Sequence, residues 1–152
     1  MNRRIACFDF ETGALRGTFG QILVACFLPL HEKDVVTFRL DDKKYKNKKR
    51  PDDDSKMVVA IRDYMEDCFA WVGWYSKQFD VRMINARLML QGERPVQKRM
   101  HVDLIYYSRQ IALHSSRLDS VAKSFELPIQ KTDLTPSIWM AAKSCLDKEA
   151  MD

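Results

Sequence analysis

Three carboxylates set the chemistry open to this sequence. Asp9 and Glu11 lie two residues apart in the alternating segment Ile5 to Glu11. On a strand that spacing sends both side chains off one face, with Ile5 and Cys7, while Ala6, Phe8 and Phe10 take the other. Two carboxylates side by side repel each other unless a cation joins them. An all-oxygen pair suits Mg²⁺ or Mn²⁺, which accept carboxylates and keep several waters. The acids are set among large apolar residues, where an unpaired charge is costly. A third acid, Asp80, follows Gly73, Trp74, Tyr75, Ser76, Lys77, Gln78 and Phe79. It is expected to open a helix directly after a central strand, where the helix N-terminus stabilises negative charge. Each feature also has an ordinary reading: two surface acids at a strand end, and a plain helix cap.

The elements that must position these acids follow from periodicity. Gly13 and Gly17 allow turns after the first strand. Gln21 to Leu28 reads as a near-continuous apolar strand stopped by Pro29, and Val35 to Leu40 as a third strand, the short connections predicting antiparallel hairpins. Ser55 is placed to cap a helix carrying Met57, Ile61, Tyr64, Met65 and Cys68. Phe69 to Trp74 predicts a short central strand. A helix bearing Val81, Ile84 and Leu88 then ends near Gly92, and Arg99 to Asp103 predicts a fifth strand. After that the chain reads helical. Ser116 and Asp119 form a capping pattern before Leu118, Val121, Ala122 and Phe125, and Pro128 ends that helix. Thr135 and Pro136 begin a last helix with Ile138, Trp139, Ala142 and Leu146 on its apolar side. The sum is an α/β fold: a mixed five-stranded sheet, three antiparallel strands followed by parallel ones, flanked by helices.

Bulk properties narrow the function classes. A chain of 152 residues suits one domain with one core. No apolar run approaches the roughly 20 residues of a membrane helix. The basic start reaches Asp9 before a signal-peptide core could form, so a cytoplasmic protein without a membrane partner is expected. Cys7, Cys26, Cys68 and Cys145 form no C-x-x-C pair, which argues against zinc and for reduced thiols. There is no Gly-rich phosphate loop and no serine nucleophile elbow. The net charge of +4 permits nucleic-acid binding without demanding it. Its distribution says more: Lys43 to Arg50 is strongly basic and is followed by Asp52, Asp53 and Asp54. That is either a solvated, self-compensating loop or a loop that touches phosphates, with Tyr45 to stack on a base.

At the acidic segments the sequence resembles the DEDD superfamily of 3′–5′ exonucleases, the DnaQ-like branch of the ribonuclease H-like fold. Phe8, Asp9, Phe10, Glu11, Thr12 and Gly13 look like its first motif, Asp-x-Glu-Thr. Ser76 to Asp80, followed by Arg82, Ile84 and Asn85 to Leu88, look like its second. Leu118 to Lys123 resemble the helix before its third. The resemblance implies a two-metal hydrolysis of phosphodiester bonds at the 3′ end of single-stranded DNA or RNA. Asp9 would bind both ions (Mg²⁺ or Mn²⁺), Glu11 one, and Asp80 the second. The backbone at Thr12 and Gly13 would approach the terminal nucleotide, with Phe10, Leu15 and Phe79 beside its base or simply buried in the core. Partners would be single-stranded or 3′-terminal nucleic acid and a DNA polymerase or other replication protein.

Two departures stand out. Tyr75 occupies a position, five before Asp80, where the family often has Asn. The family also needs a fourth acid on a late helix, four or five residues after a Tyr or His. His114 and Asp119 have the histidine spacing, but Asp119 opens the helix that should come earlier and reads mainly as a first-turn residue. Asp133, Asp147, Glu149 and Asp152 lack a Tyr or His at the needed offset. Residues 1–152 are therefore expected to form a single exonuclease-like domain lacking its C-terminal helix, where that motif belongs. The alternatives are a catalytically impaired module that binds nucleic acid or a polymerase, and an endonuclease of the same wider fold. Elsewhere, His101 and Asp103 could chelate a metal but read better as a strand-end histidine and a helix-capping aspartate. Trp71, Trp74 and Trp139 read as core.

Overall fold

The computed structural model of the chain describes residues 4–128, 135–143 and 151. The elements run β1 (Ile5–Thr12), β2 (Ile22–Pro29), β3 (Val36–Arg39), α1 (Ser55–Asp67), β4 (Ala70–Gly73), α2 (Asp80–Leu90), β5 (Met100–Asp103), α3 (Leu104–Ser108), α4 (Leu118–Ser124) and α5 (Pro136–Lys143). The strands form one five-stranded sheet in the order β3-β2-β1-β4-β5. β1 pairs antiparallel with β2, and β2 with β3. β4 lies parallel to β1 and β5 parallel to β4, with α2 as the helical crossover that parallel neighbours require. This is the expected mixed sheet of a ribonuclease H-like fold.

The alternation in β1 resolves as its pattern predicts. Ala6, Phe8, Phe10 and Thr12 are buried, while Cys7 and Glu11 are half-buried and Asp9 is exposed. The core lies between that buried face and two helices. Phe8, Phe10, Leu23, Ala25, Phe27, Phe38 and Trp71 meet Met57, Val58, Ile61 and Met65 of α1 and Met83, Ile84 and Leu88 of α2. Phe27 stands at its centre, within 6.0 Å (ring centroids) of Phe8, Phe10, Phe38 and Tyr64. The Trp71 indole N–H donates to the Met65 carbonyl at 2.8 Å and so locks β4 to α1.

Several boundaries differ from expectation. β2 runs through Pro29, which pairs with Ala6 as the last residue of the strand, where a missing N–H costs no ladder bond. Ser55 does not cap α1; the cap position is Asp54, which makes no side-chain cap bond because its carboxylate is turned into the core. Ser116 and Asp119 form no capping box either, since α4 starts after Arg117 without a side-chain cap bond. Thr135 does cap α5, its Oγ1 accepting from the Ile138 amide at 3.5 Å. α2 ends before Gly92, whose positive φ of 76° is the usual left-handed exit from a helix. Trp71 is core and Trp74 half-buried; the Trp139 side chain and Leu146 lie outside the described residues. Cys7, Cys26 and Cys68 are free thiols, and Cys145 lies outside the described residues. Among the described residues no helix is long and apolar enough to cross a membrane.

Candidate functional site

β1 is longer than its parallel neighbour. Its last pair with β4 is Cys7 with Val72, and β1 then runs on to Thr12. Past that point no strand among the described residues covers that side, and the Phe10 amide is taken instead by Asp80 Oδ1 at 3.0 Å. Asp80 is the first residue of α2 and only 2% exposed. The carboxylate thus satisfies a core-strand amide and comes within electrostatic reach of the acids on either side of Phe10. Burial, then the charge of Asp9, push the Asp80 carboxyl up to about 7; Glu11 adds to the rise and the Phe10 amide opposes it. Cys26, directly across the ladder from Asp9, registers the same field: burial raises its thiol pKa most, with Asp9 and Glu11 contributing. The three acids singled out by sequence therefore lie around Phe10, in the C-terminal half of the central strand β1. Among the described residues no three His, Cys, Asp or Glu side chains are drawn together as a ready-made metal cluster.

The turn that delivers Asp80 is held from β5. Asp103 is 1% exposed, and its two oxygens accept from the Tyr75 amide at 2.7 Å, the Lys77 amide at 2.9 Å and, as cap of α3, the Ile105 amide at 3.4 Å. With its carboxylate so engaged, Asp103 is the capping residue of the ordinary reading. His101 packs between Phe8 and Trp71 and shares a hydrogen bond with Ser76 Oγ at 2.9 Å. Burial lowers its pKa, and Lys77 adds to that. Tyr75 adopts a positive φ of 60°. That left-handed conformation suits Asn far better than an aromatic residue, which gives a backbone reason for Asn at this position in the family it resembles. Gly73 is required for packing: a Cβ there would run into the Ser76 side chain.

Beside the acids lies a cavity of about 410 Å³ lined by Phe10, Glu11, Thr12, Gly13, Ala14, Leu15, Phe79, Met140 and Lys143. Phe10, Thr12, Gly13, Leu15 and Phe79, the residues expected beside the terminal nucleotide, all line it. Phe10 is mainly a core residue, 3% exposed, whereas Leu15, at 84%, stands at the rim. The Thr12 hydroxyl donates to the Ala14 carbonyl at 2.9 Å and shapes the turn after β1. A Cβ at Gly13 would lie 2.8 Å from Gln21 Oε1 and would displace that side chain. Periodicity gave no sign of Met140 or Lys143, which reach the cavity from α5. Gln21 Nε2 ties that helix down by donating to the Lys143 carbonyl at 3.1 Å. Asp54 was also missed. It is fully buried, accepts from the Ile22 amide at 2.9 Å and is gripped by Arg87 at 2.7 Å. Arg87 in turn donates to the Gly17 carbonyl at 2.9 Å.

Asp119, the weak candidate for the fourth acid, pairs with Lys123 at 2.9 Å on the surface of α4. Asp133, Asp147, Glu149 and Asp152 lie outside the described residues. Of the two readings of the basic loop, the one that has Tyr45 stack on a base finds its ring buried against Phe38.

No curated protein matches the chain. Among solved structures, it is similar to the family B DNA polymerase from the hyperthermophilic archaeon Pyrobaculum calidifontis, with a TM-score of 0.66 at 19% sequence identity. The match covers 96% of this chain but 22% of that polymerase, so the likeness is one of fold over part of a much larger protein. The family model for the RNase H superfamily matches residues 6–141. That span takes in all five strands, Asp9, Glu11 and Asp80, and the chain belongs to the RNase H superfamily.

Proposed function

We propose that this chain is the catalytic core of a divalent-metal-dependent 3′–5′ exonuclease acting on single-stranded DNA or RNA. The observation that carries the reading is the hydrogen bond from the Phe10 amide to Asp80. It brings a third carboxylate to the strand that bears Asp9 and Glu11, at the end of the sheet where β4 stops. The donor set is all oxygen, and its members repel one another, which fits hard divalent cations. Asp9, Glu11 and Asp80 would hold Mg²⁺ or Mn²⁺. When bound, such ions supply an acidified water and stabilise the leaving 3′ oxygen. The chain's own residues provide the rest. Gly13 keeps the backbone open to a terminal nucleotide, Phe79 and Leu15 offer apolar surface beside it, and Lys143 brings positive charge into the same cavity.

The test is release of mononucleotides from a 3′-labelled single strand with Mn²⁺ or Mg²⁺. The proposal expects release, weak while no fourth acid is identified, that stops with EDTA and with Asp9→Ala. It fails if no nucleotide is released, or if Asp9→Ala changes nothing. An uncut circular strand separates exonuclease from endonuclease action. A second reading, a binding module for nucleic acid or a polymerase, is favoured by Tyr75, which stands at a positive φ of 60° where the family it resembles often has Asn. Calorimetric titration discriminates: two divalent ions bound in wild type and lost in Asp9→Ala exclude a pure binding role.

A further inference from the structure

The loop between β3 and α1, taken with the first turn of α1, looks self-compensating in sequence, with Asp41, Asp42, Asp52, Asp53 and Asp54 against Lys43, Lys44, Lys46, Lys48, Lys49, Arg50 and Lys56. The structure sorts these charges unequally. Asp54 is buried and spends its charge on Arg87, which belongs to α2. Asp41 is gripped by Arg39 of β3 at 3.0 Å. Asp42 and Asp53 take Lys44 and Arg50. Two of the five acids are thus neutralised from outside the loop. Among the described residues, Lys43, Lys46, Lys48, Lys49 and Lys56 remain exposed without an ion pair, as does Asp52.

The loop is also built to hold its shape. Tyr45 is 9% exposed and anchors its middle against Phe38. Asn47 Oδ1 accepts from the Lys49 and Arg50 amides, while Asn47 Nδ2 donates to Asp53 at 3.0 Å. Asp53 then accepts from the Ser55 amide and so fixes the loop to the start of α1. Between these anchors lies a concave polar surface of about 230 Å³ lined by Tyr45, Lys46, Asn47, Lys48, Asp53, Ser55 and Lys56. Its place in the sheet matters. Glu11, Val24 and Arg39 form one continuous row across β1, β2 and β3. The loop therefore leaves β3 at the edge where β1 carries its acids, two strand spacings (roughly 10 Å) to the side.

We propose that Lys43, Lys46, Lys48 and Lys49, displayed by this anchored loop, form a phosphate-backbone contact that receives the strand outside the acidic edge. The ligand class is a single-stranded polynucleotide read through its phosphates and not its bases, since the loop's aromatic ring is turned into the core. This rests on the exonuclease reading for the identity of the polyanion, but its test does not need catalysis.

The experiment measures binding of a fluorescein-labelled 20-mer of deoxythymidine by anisotropy, in EDTA, over a series of salt concentrations. Wild type is compared with two fourfold variants, Lys→Gln and Lys→Arg at positions 43, 46, 48 and 49, all checked by thermal melting. The glutamine variant is expected to bind about ten- to a hundredfold more weakly at low salt. Its slope of log affinity against log salt should be shallower by about 3, at roughly 0.7 per phosphate contact for a single strand. The arginine variant is expected to bind as wild type does. Equal affinity and slope in wild type and glutamine variant overturn the proposal, as does absence of binding by wild type. So does a glutamine variant that keeps the oligonucleotide but loses vesicles of phosphatidylserine and phosphatidylcholine, which assigns the loop to a membrane surface. Because EDTA suppresses hydrolysis, failure of Asp9→Ala to abolish nucleotide release would sink the exonuclease reading without touching this result.

Discussion

Asp54 and Asp80 sit in similar places and are balanced in opposite ways. Both are buried, and each accepts an amide from a core strand, Ile22 in one case and Phe10 in the other. Asp54 is matched by a guanidinium that also holds the Gly17 carbonyl. Asp80 is met by two further acids, which raise its pKa with burial. A fold that only needed to satisfy β1 could have treated Asp80 as it treats Asp54. The contrast separates a carboxylate used as a strut from one faced by like charges, the group to which the proposed function assigns a divalent cation.

The largest expected effect breaks the strut. Arg87→Met leaves Asp54 buried without its counter-charge and should cost about 3–5 kcal/mol, seen as a lower melting temperature. A loss below about 1 kcal/mol would mean that Arg87 is not what balances Asp54. Next, Asp80→Asn keeps an oxygen for the Phe10 amide and deletes the charge facing Asp9 and Glu11. Metal-free protein at pH 8 should melt at or above the wild-type temperature, while metal-supported nucleotide release falls by about a hundredfold or more. A variant that is both active and less stable would place Asp80 with Asp54.

Glu66 extends the comparison to the surface. Arg94 holds its carboxyl down to about 2 against a smaller desolvation effect, with the Gln97 amide helping. Its folded pKa lies below its unfolded value, so the stability it adds is present above about pH 4.3 and is lost as the pH falls toward 2. Glu66→Gln should melt lower than wild type near neutral pH and converge with it in acid; a constant gap would show that charge is not the cause. The smallest effect concerns the turn itself. Tyr75→Asn should relieve the left-handed backbone and stabilise by about 1 kcal/mol or less, read by thermal melting.

Legibility in the sequence followed the range of the interactions. The alternation of Ile5 to Glu11 depends on neighbours two residues apart, and it placed Asp9 and Glu11 on one face correctly. The order of strands and of α1 and α2 came from equally local periods. Asp54 was illegible because Asp52, Asp53 and Asp54 look alike in a run. Which of them is buried is decided by Ile22 and Arg87, each more than thirty residues away in the chain. Lys143 was hidden for the same reason: nothing near it in sequence marks the Gln21 bond that holds its helix beside Glu11. Charge counting alone left two readings of the basic loop open, because it ignores which acids turn inward.

Asp103 links two parts of the molecule that the sequence keeps apart. One carboxylate moors the Tyr75 and Lys77 amides and also starts α3 at Ile105. The acid-bearing turn therefore has no hinge of its own. Loosening either end of this mooring frees the other, and the three amides should lose protection from hydrogen exchange together in Asp103→Ala. The reach of Asp80 toward β1 is, in that sense, a cooperative property of β4, β5 and α3 and not of the loop that carries it.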